Sequence, residues 1–402
     1  MRYMTDITRK KVLLGITGGV AAYKAAELVR RLMDLNIEVQ VVMTQAATQF
    51  ITPLTLQALS GRSVYTDLWD GRIPNNMAHI ELSRDKDAIL IAPASADFMA
   101  KLAHGLADDL LSTLCLARDC PLLVAPAMNR QMWENPATQR NVATLTADKV
   151  TLLGPASGEQ ACGEVGQGRM LEALDLAESM ASFLAPKPLQ GISLLITAGP
   201  TFEPIDAVRG ITNLSSGKMG YALARSAQHA GANVTLISGP VSLPLPLGVN
   251  RFSVQSAQQM FQCVKEHVQQ CDVFVAVAAV ADYRVEKPYE QKIKKTDATE
   301  LTLSLVPNTD ILAWVASQTP APFTVGFAAE SEHLEKFADE KRRRKKVSLM
   351  IANLAQQAIG KDDNEVTILD DKGVRHLPRA NKTDLANTLI LEIAKAYRAE
   401  KK

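Results

Sequence analysis

The sequence predicts an α/β protein of two doubly wound, Rossmann-like domains with mainly parallel sheets, and three observations carry that expectation. Both halves open on a short apolar strand running into glycine and a hydroxyl, LLGITGG at Leu13–Gly19 and LLITAGP at Leu194–Pro200. Each half repeats the signal further on, as DAILIAPASAD at Asp87–Asp97 and DVFVAVAAVAD at Asp272–Asp282. Unbroken Val, Ile, Leu and Ala runs suit parallel strands covered on both faces. Between the halves lies SFLAPKPLQG, Ser182–Gly191, where two prolines stop a helical pattern because proline lacks the amide donor and clashes with the preceding turn. The expected domains are therefore 1–190 and 191–402.

Taken in order, the first half reads as strands at Val12–Ile16, Glu38–Met43, Ala88–Ala92 and Leu122–Ala125, with helices at Ala21–Leu35, Phe98–His104 and Leu110–Arg118. The second reads as strands at Ile192–Thr197, Asn233–Ser238, Val273–Ala278, Thr324–Phe327, Ser348–Ala352 and Val366–Leu369. Its helices fall at Met219–Ala230, Ala257–Gln270, Glu330–Lys341 and Asp384–Arg398. In such sheets ligands lie beyond the carboxyl ends of the strands, near the topological switch.

Composition narrows the function. With 402 residues, 47% of them apolar, the chain has material for sizeable cores, and 44 basic against 43 acidic residues give no global pull toward nucleic acid. Five cysteines are too few for a disulfide scaffold, and the odd count points to a reducing compartment. No targeting segment and no apolar run of membrane-spanning length is read, so a cytoplasmic protein without a membrane partner is expected.

In the first half, Ile16–Lys24 can place backbone amides and a helix N-terminus around an anion; a phosphate-bearing flavin or nucleotide and an ordinary tight turn both fit. PASAD at Pro93–Asp97 and PAMN at Pro126–Asn129 follow apolar strands, so Thr44, Ser95 and Asn129 offer polar contacts and Met132 with Trp133 apolar area. His79 could exchange a proton near pH 7 or be a structural histidine. Cys162, in the glycine-rich GEQACGEVGQGRM, could supply a thiol proton from a closing segment. Cys115 and Cys120 lack a matching zinc ligand set and read as packing.

In the second half, ITAGPT and NLSSGKMG form two candidate phosphate cradles, with Gly199 and Gly217 lowering crowding and Ser215, Ser216 and Lys218 adding hydrogen bonds or charge. Two turns with a helix cap are the alternative. Asp282, just beyond an apolar strand, could meet a nucleobase or magnesium. Lys292–Lys295, KIKK, could neutralise a triphosphate or lie in a solvated loop. The run Lys341–Lys346 sits at a helix end, where cations complement the dipole, and lacks the aromatic interleaving of a nucleic-acid surface.

In the order GITGGVAAYK, AHIELS, PASAD, PAMNRQMW, ACGEVGQGRM, then ITAGPTFEPIDAVR, ITNLSSGKMG, AAVADYR, KIKK, PNTDIL and GFAAE, the chain resembles the bacterial bifunctional family of coenzyme A biosynthesis. That family fuses a phosphopantothenoylcysteine decarboxylase to a phosphopantothenate–cysteine ligase. The resemblance implies that the first half binds FMN, with Gly15, Gly18, Thr44 and Ser95 at the flavin. His79 becomes an active-site base or orienting residue, Asn129 and Met132 substrate contacts, and Cys162 the acid that protonates carbon after carbon dioxide leaves. It implies that the second half uses CTP and Mg2+ to form an acyl-cytidylate that cysteine then attacks. Asn213 would hold that intermediate and Lys292 act as the catalytic cation. Ser215, Gly217, Lys218, Ala278, Ala279, Asp282, Asn308, Phe327, Lys341 and Lys345 would contact the nucleotide, with Asp282 also near the metal and Asn353 following the next strand. A homo-oligomer, a dodecamer with dimeric ligase domains, is implied as well. Four positions depart from the family pattern: Phe202 stands where arginine is common, Gly210 and Leu214 where larger aromatic and histidine residues are, and Ser348 where an acid is. A weakened ligase and a flavin-binding scaffold are the readings that compete with the two-step enzyme; His79, Asn129 and Cys162 favour the enzyme.

Overall fold

A computed structural model describes residues 9–73, 77–161, 163–294, 301–330, 332–354 and 361–401. The chain divides into two compact units, residues 1–184 and 185–402. The helix Ala173–Leu184 closes the first, and Leu189 is already fully buried in the core of the second, its N–H donating to Ala230 O at 2.9 Å.

The first unit is a parallel five-stranded sheet in the order β2-β1-β3-β4-β5, with β1 Lys11–Ile16, β2 Glu38–Met43, β3 Ala88–Ala94, β4 Leu122–Pro126 and β5 Thr151–Leu152. All seven residues of β3 are buried, as expected of a strand covered on both faces. One apolar layer packs the helices Lys24–Asp34 and Ala173–Leu184 on one side, and another packs Ala96–His104 and Leu110–Ala117 on the other. An antiparallel hairpin, β6 Ala156–Glu159 with β7 Val165–Arg169, stands apart from the sheet.

The second unit holds an eight-stranded sheet in the order β12-β11-β8-β13-β16-β17-β18-β19. These are β8 Ser193–Ala198, β11 Asn233–Ser238, β12 Asn250–Ser253, β13 Val273–Ala276, β16 Phe323–Glu330, β17 Leu349–Leu354, β18 Asp363–Asp370 and β19 Gly373–Asn381. Six strands are parallel; β18 and β19 pair antiparallel at one edge. Two small antiparallel ribbons, β9 Phe202–Pro204 with β10 Gly210–Thr212 and β14 Tyr283–Val285 with β15 Leu305–Pro307, rise beyond the sheet.

The two echoes in sequence become the same local construction. Asp87 precedes β3 and accepts from Lys11 N at 2.8 Å, while its own N–H donates to Lys11 O. Asp272 precedes β13 and accepts from Ser193 N at 3.0 Å, its N–H donating to Ser193 O. Each carboxylate pins the start of one strand to the start of its neighbour. The switch in strand order falls between β1 and β3 in one unit, and between β8 and β13 in the other.

Some expected bounds move. The helix expected from Ala21 begins as a 3-10 turn at Val20–Tyr23 and becomes α-helical at Lys24. The helix expected at Glu330–Lys341 runs from Leu334 to Lys345, because GFAAE continues the buried strand β16 to Glu330. Edge strand β19, whose residues are mostly exposed, carries no apolar run and was not anticipated.

Burial opposes ionisation of Asp87, but the Lys10 ammonium at 2.6 Å and the Lys11 amide hold its carboxyl below the usual carboxylate range. A folded value below the unfolded one means stability present above about pH 3.9 and lost as pH falls through the folded value. Asp87→Ala should cost the first unit about 1–2 kcal/mol at pH 7, and that difference should narrow toward pH 3, as measured by urea unfolding at both values.

Candidate functional sites at the two sheet switch points

In the first unit the exits of β1 and β3 are locked together by Thr17. Its side chain is buried, its hydroxyl donates to Pro93 O at 2.8 Å and accepts from Ser95 N at 2.9 Å. The following Gly18 and Gly19 N–H groups have no partner among the described residues, which leaves two donors facing no protein acceptor at a strand exit. A Cβ on Gly18 would lie 2.6 Å from that of Ala46, so this glycine lets the β1 and β2 loops touch. Gly15 has a different reason from the expected one: a Cβ there would meet Ile91 at 2.5 Å and Leu111 at 2.7 Å, so its glycine answers core packing and not ligand approach.

Ser95 caps the helix Ala96–His104, accepting from Phe98 N at 3.2 Å, and Thr44 Oγ1 accepts from Ala47 N at 3.3 Å. Each cap uses an oxygen lone pair and leaves the hydroxyl proton to donate. His79, in the helix Ala78–Ser83, has a buried Nδ1 with no hydrogen-bond partner among the described residues. The free amides and two unspent hydroxyl protons, gathered at the β1, β2 and β3 exits, fit a phosphate-bearing cofactor such as a flavin.

Asn129 caps the helix Arg130–Glu134, accepting from Met132 N at 2.9 Å, and its amide donates to Gln131 Oε1 at 2.9 Å. Met132 is 47% exposed and Trp133 buried. The hairpin β6–β7 is stitched to this segment. Arg130 N donates to Gln160 Oε1, Gln131 Nε2 to Glu164 Oε1 and Trp133 Nε1 to Gln167 Oε1, while Met128 N donates to Gly168 O. Cys162, between Gln160 and Glu164 in sequence, lies outside the described residues. Two hairpin glycines that read as flexibility serve close approach. A Cβ on Gly166 would sit 2.3 Å from Arg130 Cδ, and one on Gly168, at φ +136°, 2.4 Å from Met128 O.

In the second unit a cavity of about 490 Å³, within the range of small-molecule sites, opens at the exits of β8, β13, β16 and β17. It gathers Asn213, Ser215, Gly217, Lys218, Ala278, Ala279, Phe327, Lys341 and Asn353, all anticipated from sequence. Gly217 precedes the twelve-residue helix Lys218–His229 with no side-chain cap, so the first-turn amides are open to an anion. Its φ of +74° and a Cβ position 2.8 Å from Val241 explain the glycine.

Four anticipated residues do not line the cavity. Lys345 is bound to Asp310 at 2.5 Å, its side chain only 13% exposed. Asn308 ties a loop, donating from N to Asp282 O and from Nδ2 to Ala281 O. Asp282 is exposed, and Lys292 is exposed on a separate arm. Among the described residues no three carboxylates, histidines or cysteines cluster as metal ligands, so Asp282 would at most join a metal carried by a phosphate ligand. Ala279 also differs from expectation. Its N–H donates to Gly199 O and its carbonyl accepts from Thr201 N and Asn213 Nδ2, so its backbone serves the protein and only its small side chain serves the cavity.

Sequence reasoning missed Lys382 and Asn364, which line the cavity from the antiparallel edge. Asn381 caps the helix Lys382–Glu400, a signal visible in NKTD, but nothing in sequence links that cap to β8. Burial and then the Lys218 charge push the Lys382 ammonium below the usual lysine range.

The departures from the family pattern are also placed. The Phe202 ring fills the space above Gly210, where a Cβ would lie 2.3 Å from Phe202 Cζ, so the two exchanges compensate each other across the β9–β10 ribbon. Leu214 is 86% exposed at the cavity. Ser348 lines a different, polar cavity of about 760 Å³ with Arg342, Asp370 and Asp371.

Comparison with known proteins agrees with this division. Residues 1–185 match the family described as flavoprotein, and residues 189–397 that described as DNA/pantothenate metabolism flavoprotein C-terminal domain. The chain is 52% identical over 395 residues to the coenzyme A biosynthesis bifunctional protein CoaBC of Vibrio vulnificus, covering 97% of this chain and 98% of that one. It is 46% identical over 399 residues to the protein of the same name from Escherichia coli, covering 98% of each. A solved C-terminal domain of a CoaBC protein is 38% identical, covering 54% of this chain and all of that one, with a TM-score of 0.47. The two units are thus a flavoprotein domain followed by a pantothenate-metabolism domain. The chain belongs to the bifunctional coenzyme A biosynthesis family.

The hairpin contacts generate a selective outcome. Gly168→Val should lift β6–β7 from the Asn129 segment, slowing turnover in the first unit about tenfold or more while leaving second-unit turnover unchanged. Assays of each half with its own substrate supplied separate the two.

Proposed function

We propose that the chain ligates 4'-phosphopantothenate to cysteine with CTP in the second unit, and decarboxylates the product to 4'-phosphopantetheine with FMN in the first. The observation that supports this best is the 52% and 46% identity, over nearly the full length, to relatives named as bifunctional proteins of coenzyme A biosynthesis, together with two switch points in two units.

For ligation, the carboxylate of phosphopantothenate attacks the α-phosphorus of CTP and pyrophosphate leaves; the cysteine amine then attacks the acyl-cytidylate and CMP leaves. A carboxylate is a poor acyl donor, and activation supplies the leaving group. Lys218, Lys341 and Lys382 supply positive charge around the cavity, and the open amides after Gly217 supply donors for phosphate oxygens. Asn213 is held by its Nδ2 to Ala279 O, which orients its Oδ1 for the acyl intermediate. Lys292 supplies the cation for pyrophosphate departure. Magnesium would enter with the triphosphate, and Asp282 is the carboxylate that would help to hold it.

For decarboxylation, bound FMN supplies the two-electron oxidation that makes loss of carbon dioxide accessible and the return of those electrons. The Gly18–Gly19 amides, Thr44 and Ser95 would hold it. Asn129 and Met132 would place the substrate carboxyl. The orphaned His79 Nδ1 can orient the reacting group or accept a proton. Cys162 delivers the final proton to carbon.

The assembly read here is a homo-oligomer, a dodecamer with dimeric ligase domains, working in the cytoplasm on small molecules. Among the described residues no helix is long and apolar enough to cross a membrane.

Purified protein should carry flavin absorbance. With 4'-phosphopantothenate, cysteine, CTP and magnesium it should yield both phosphopantothenoylcysteine and phosphopantetheine by mass spectrometry; ligation product alone would reject the first-unit assignment. Cys162→Ser should keep flavin and release carbon dioxide, then stop with reduced flavin and an oxidised enethiol product. Normal phosphopantetheine output from that variant would exclude Cys162 as the acid.

A further inference from the structure

The residues EPIDAVR precede the nucleotide loop, and their role is not explained by the cavity. Asp206 is buried, with a side chain at 0% exposure. Its Oδ1 accepts from Val208 N and Arg209 N, both at 2.8 Å, and its Oδ2 accepts from Arg209 Nε at 3.0 Å and Nη2 at 2.5 Å. The same Oδ2 accepts from Ile293 N at 3.1 Å, 87 positions away. Arg209 Nη2 in turn donates to Ile293 O at 3.0 Å. One ion pair therefore takes up both polar groups of a single residue's backbone, as a neighbouring strand would. A second tie lies four residues earlier, where Tyr289 N donates to Ile205 O at 2.9 Å.

Ile293 stands between Lys292 and Lys294. Lys292 is exposed and forms no hydrogen bond or ion pair of its own among the described residues, so the backbone next to it is what fixes its place. We propose that Asp206 is the positioning residue for Lys292, the Asp206–Arg209 pair setting the path of the lysine arm for acyl-cytidylate formation. This rests on the reading of Lys292 as the cation of that step. The chemistry demands a carboxylate. Five donors converge on two oxygens, and an amide in the same place would offer one acceptor and turn an N–H₂ toward donors. The Arg209 hydrogen bonds, set against burial, hold the Asp206 carboxyl far below the usual range, so it stays ionised through the working pH.

The test uses the full chain and pyrophosphate release without cysteine, measured before steady state. Asp206→Asn should lower the rate at saturating CTP by about ten- to hundredfold. Its KM for CTP should stay within about twofold, since the defect is placement and not binding. Trypsin should cut the folded variant faster at Lys292 and Lys294. Adding Asp206→Asn to Lys292→Ala should cause no further loss, because the two act as one unit. An unchanged Asp206→Asn rate beside a slowed Lys292→Ala overturns the proposal alone, as does an Asp206→Asn effect that persists in full without the lysine. An unchanged Lys292→Ala rate overturns the reading of Lys292 and this proposal with it. Where Asp206→Asn fails to fold, Ile293→Pro removes the donated N–H with the ion pair intact; a normal rate in that folded variant overturns the proposal, and a slow one upholds it.

Discussion

Both sites depend on a bond between two strand exits. At a switch point neighbouring strands send their loops in opposite directions, so the crevice between them has no connecting chain to hold it in shape. In the first unit the Thr17 hydroxyl closes that gap by donating to Pro93 O and accepting from Ser95 N. In the second, Thr201 Oγ1 accepts from Ala281 N at 3.0 Å, its carbonyl accepts from Thr212 Oγ1 and its N–H donates to Ala279 O. Both threonines are buried. The Ser95 cap in one unit, and the Asn213 loop and AVAD segment in the other, take their positions from these bonds. Loss of such a hydroxyl leaves buried backbone groups unpaired, which costs more than the bond itself contributes.

Much of this was legible because the strands that build the crevice are central and continuous. Buried parallel strands admit few sequences, so β1, β3, β8 and β13 stand out as apolar runs, and their exits mark the sites. What was not legible is what folds back onto those exits from far along the chain. Lys382 reaches the cavity only because β18 and β19 turn antiparallel, and β19 has no apolar periodicity to announce it. The Asp206–Ile293 tie spans 87 positions between two loops, and no local pattern encodes it. Lys345 shows the opposite failure. It lies one turn beyond Lys341 on the same helix face, where Asp310 binds it at 2.5 Å outside the cavity.

Glycine positions carried two meanings that sequence could not separate. Gly15, Gly166 and Gly168 are small because another part of the chain occupies the space a side chain would take, while Gly19 and Gly163 have open surroundings. Strand β7 of the hairpin is therefore pressed against Arg130 and Met128. The hairpin is registered against the Asn129 segment at Gln160, Glu164 and Gln167 by side-chain hydrogen bonds.

The ligase cavity carries a similar tension in its charges. Lys218 is paired with Asp362 at 2.5 Å and Lys341 approaches Glu330 at 3.9 Å, but Lys382 is half-buried beside Lys218, and both burial and that neighbour disfavour its charge. The cavity of about 490 Å³ is thus lined by three ammonium groups, of which Lys382 has its charge opposed by burial and by Lys218. On the proposed reading a triphosphate would offset the desolvation of Lys382 and compete with Asp362 for Lys218. Pyrophosphate departure removes most of the same charge. On that reading, Asp362 and Glu330 are the acids that the nucleotide would displace from Lys218 and Lys341 and that would take those lysines back once pyrophosphate leaves, which ties the surface ion pairs to the charge of the cavity.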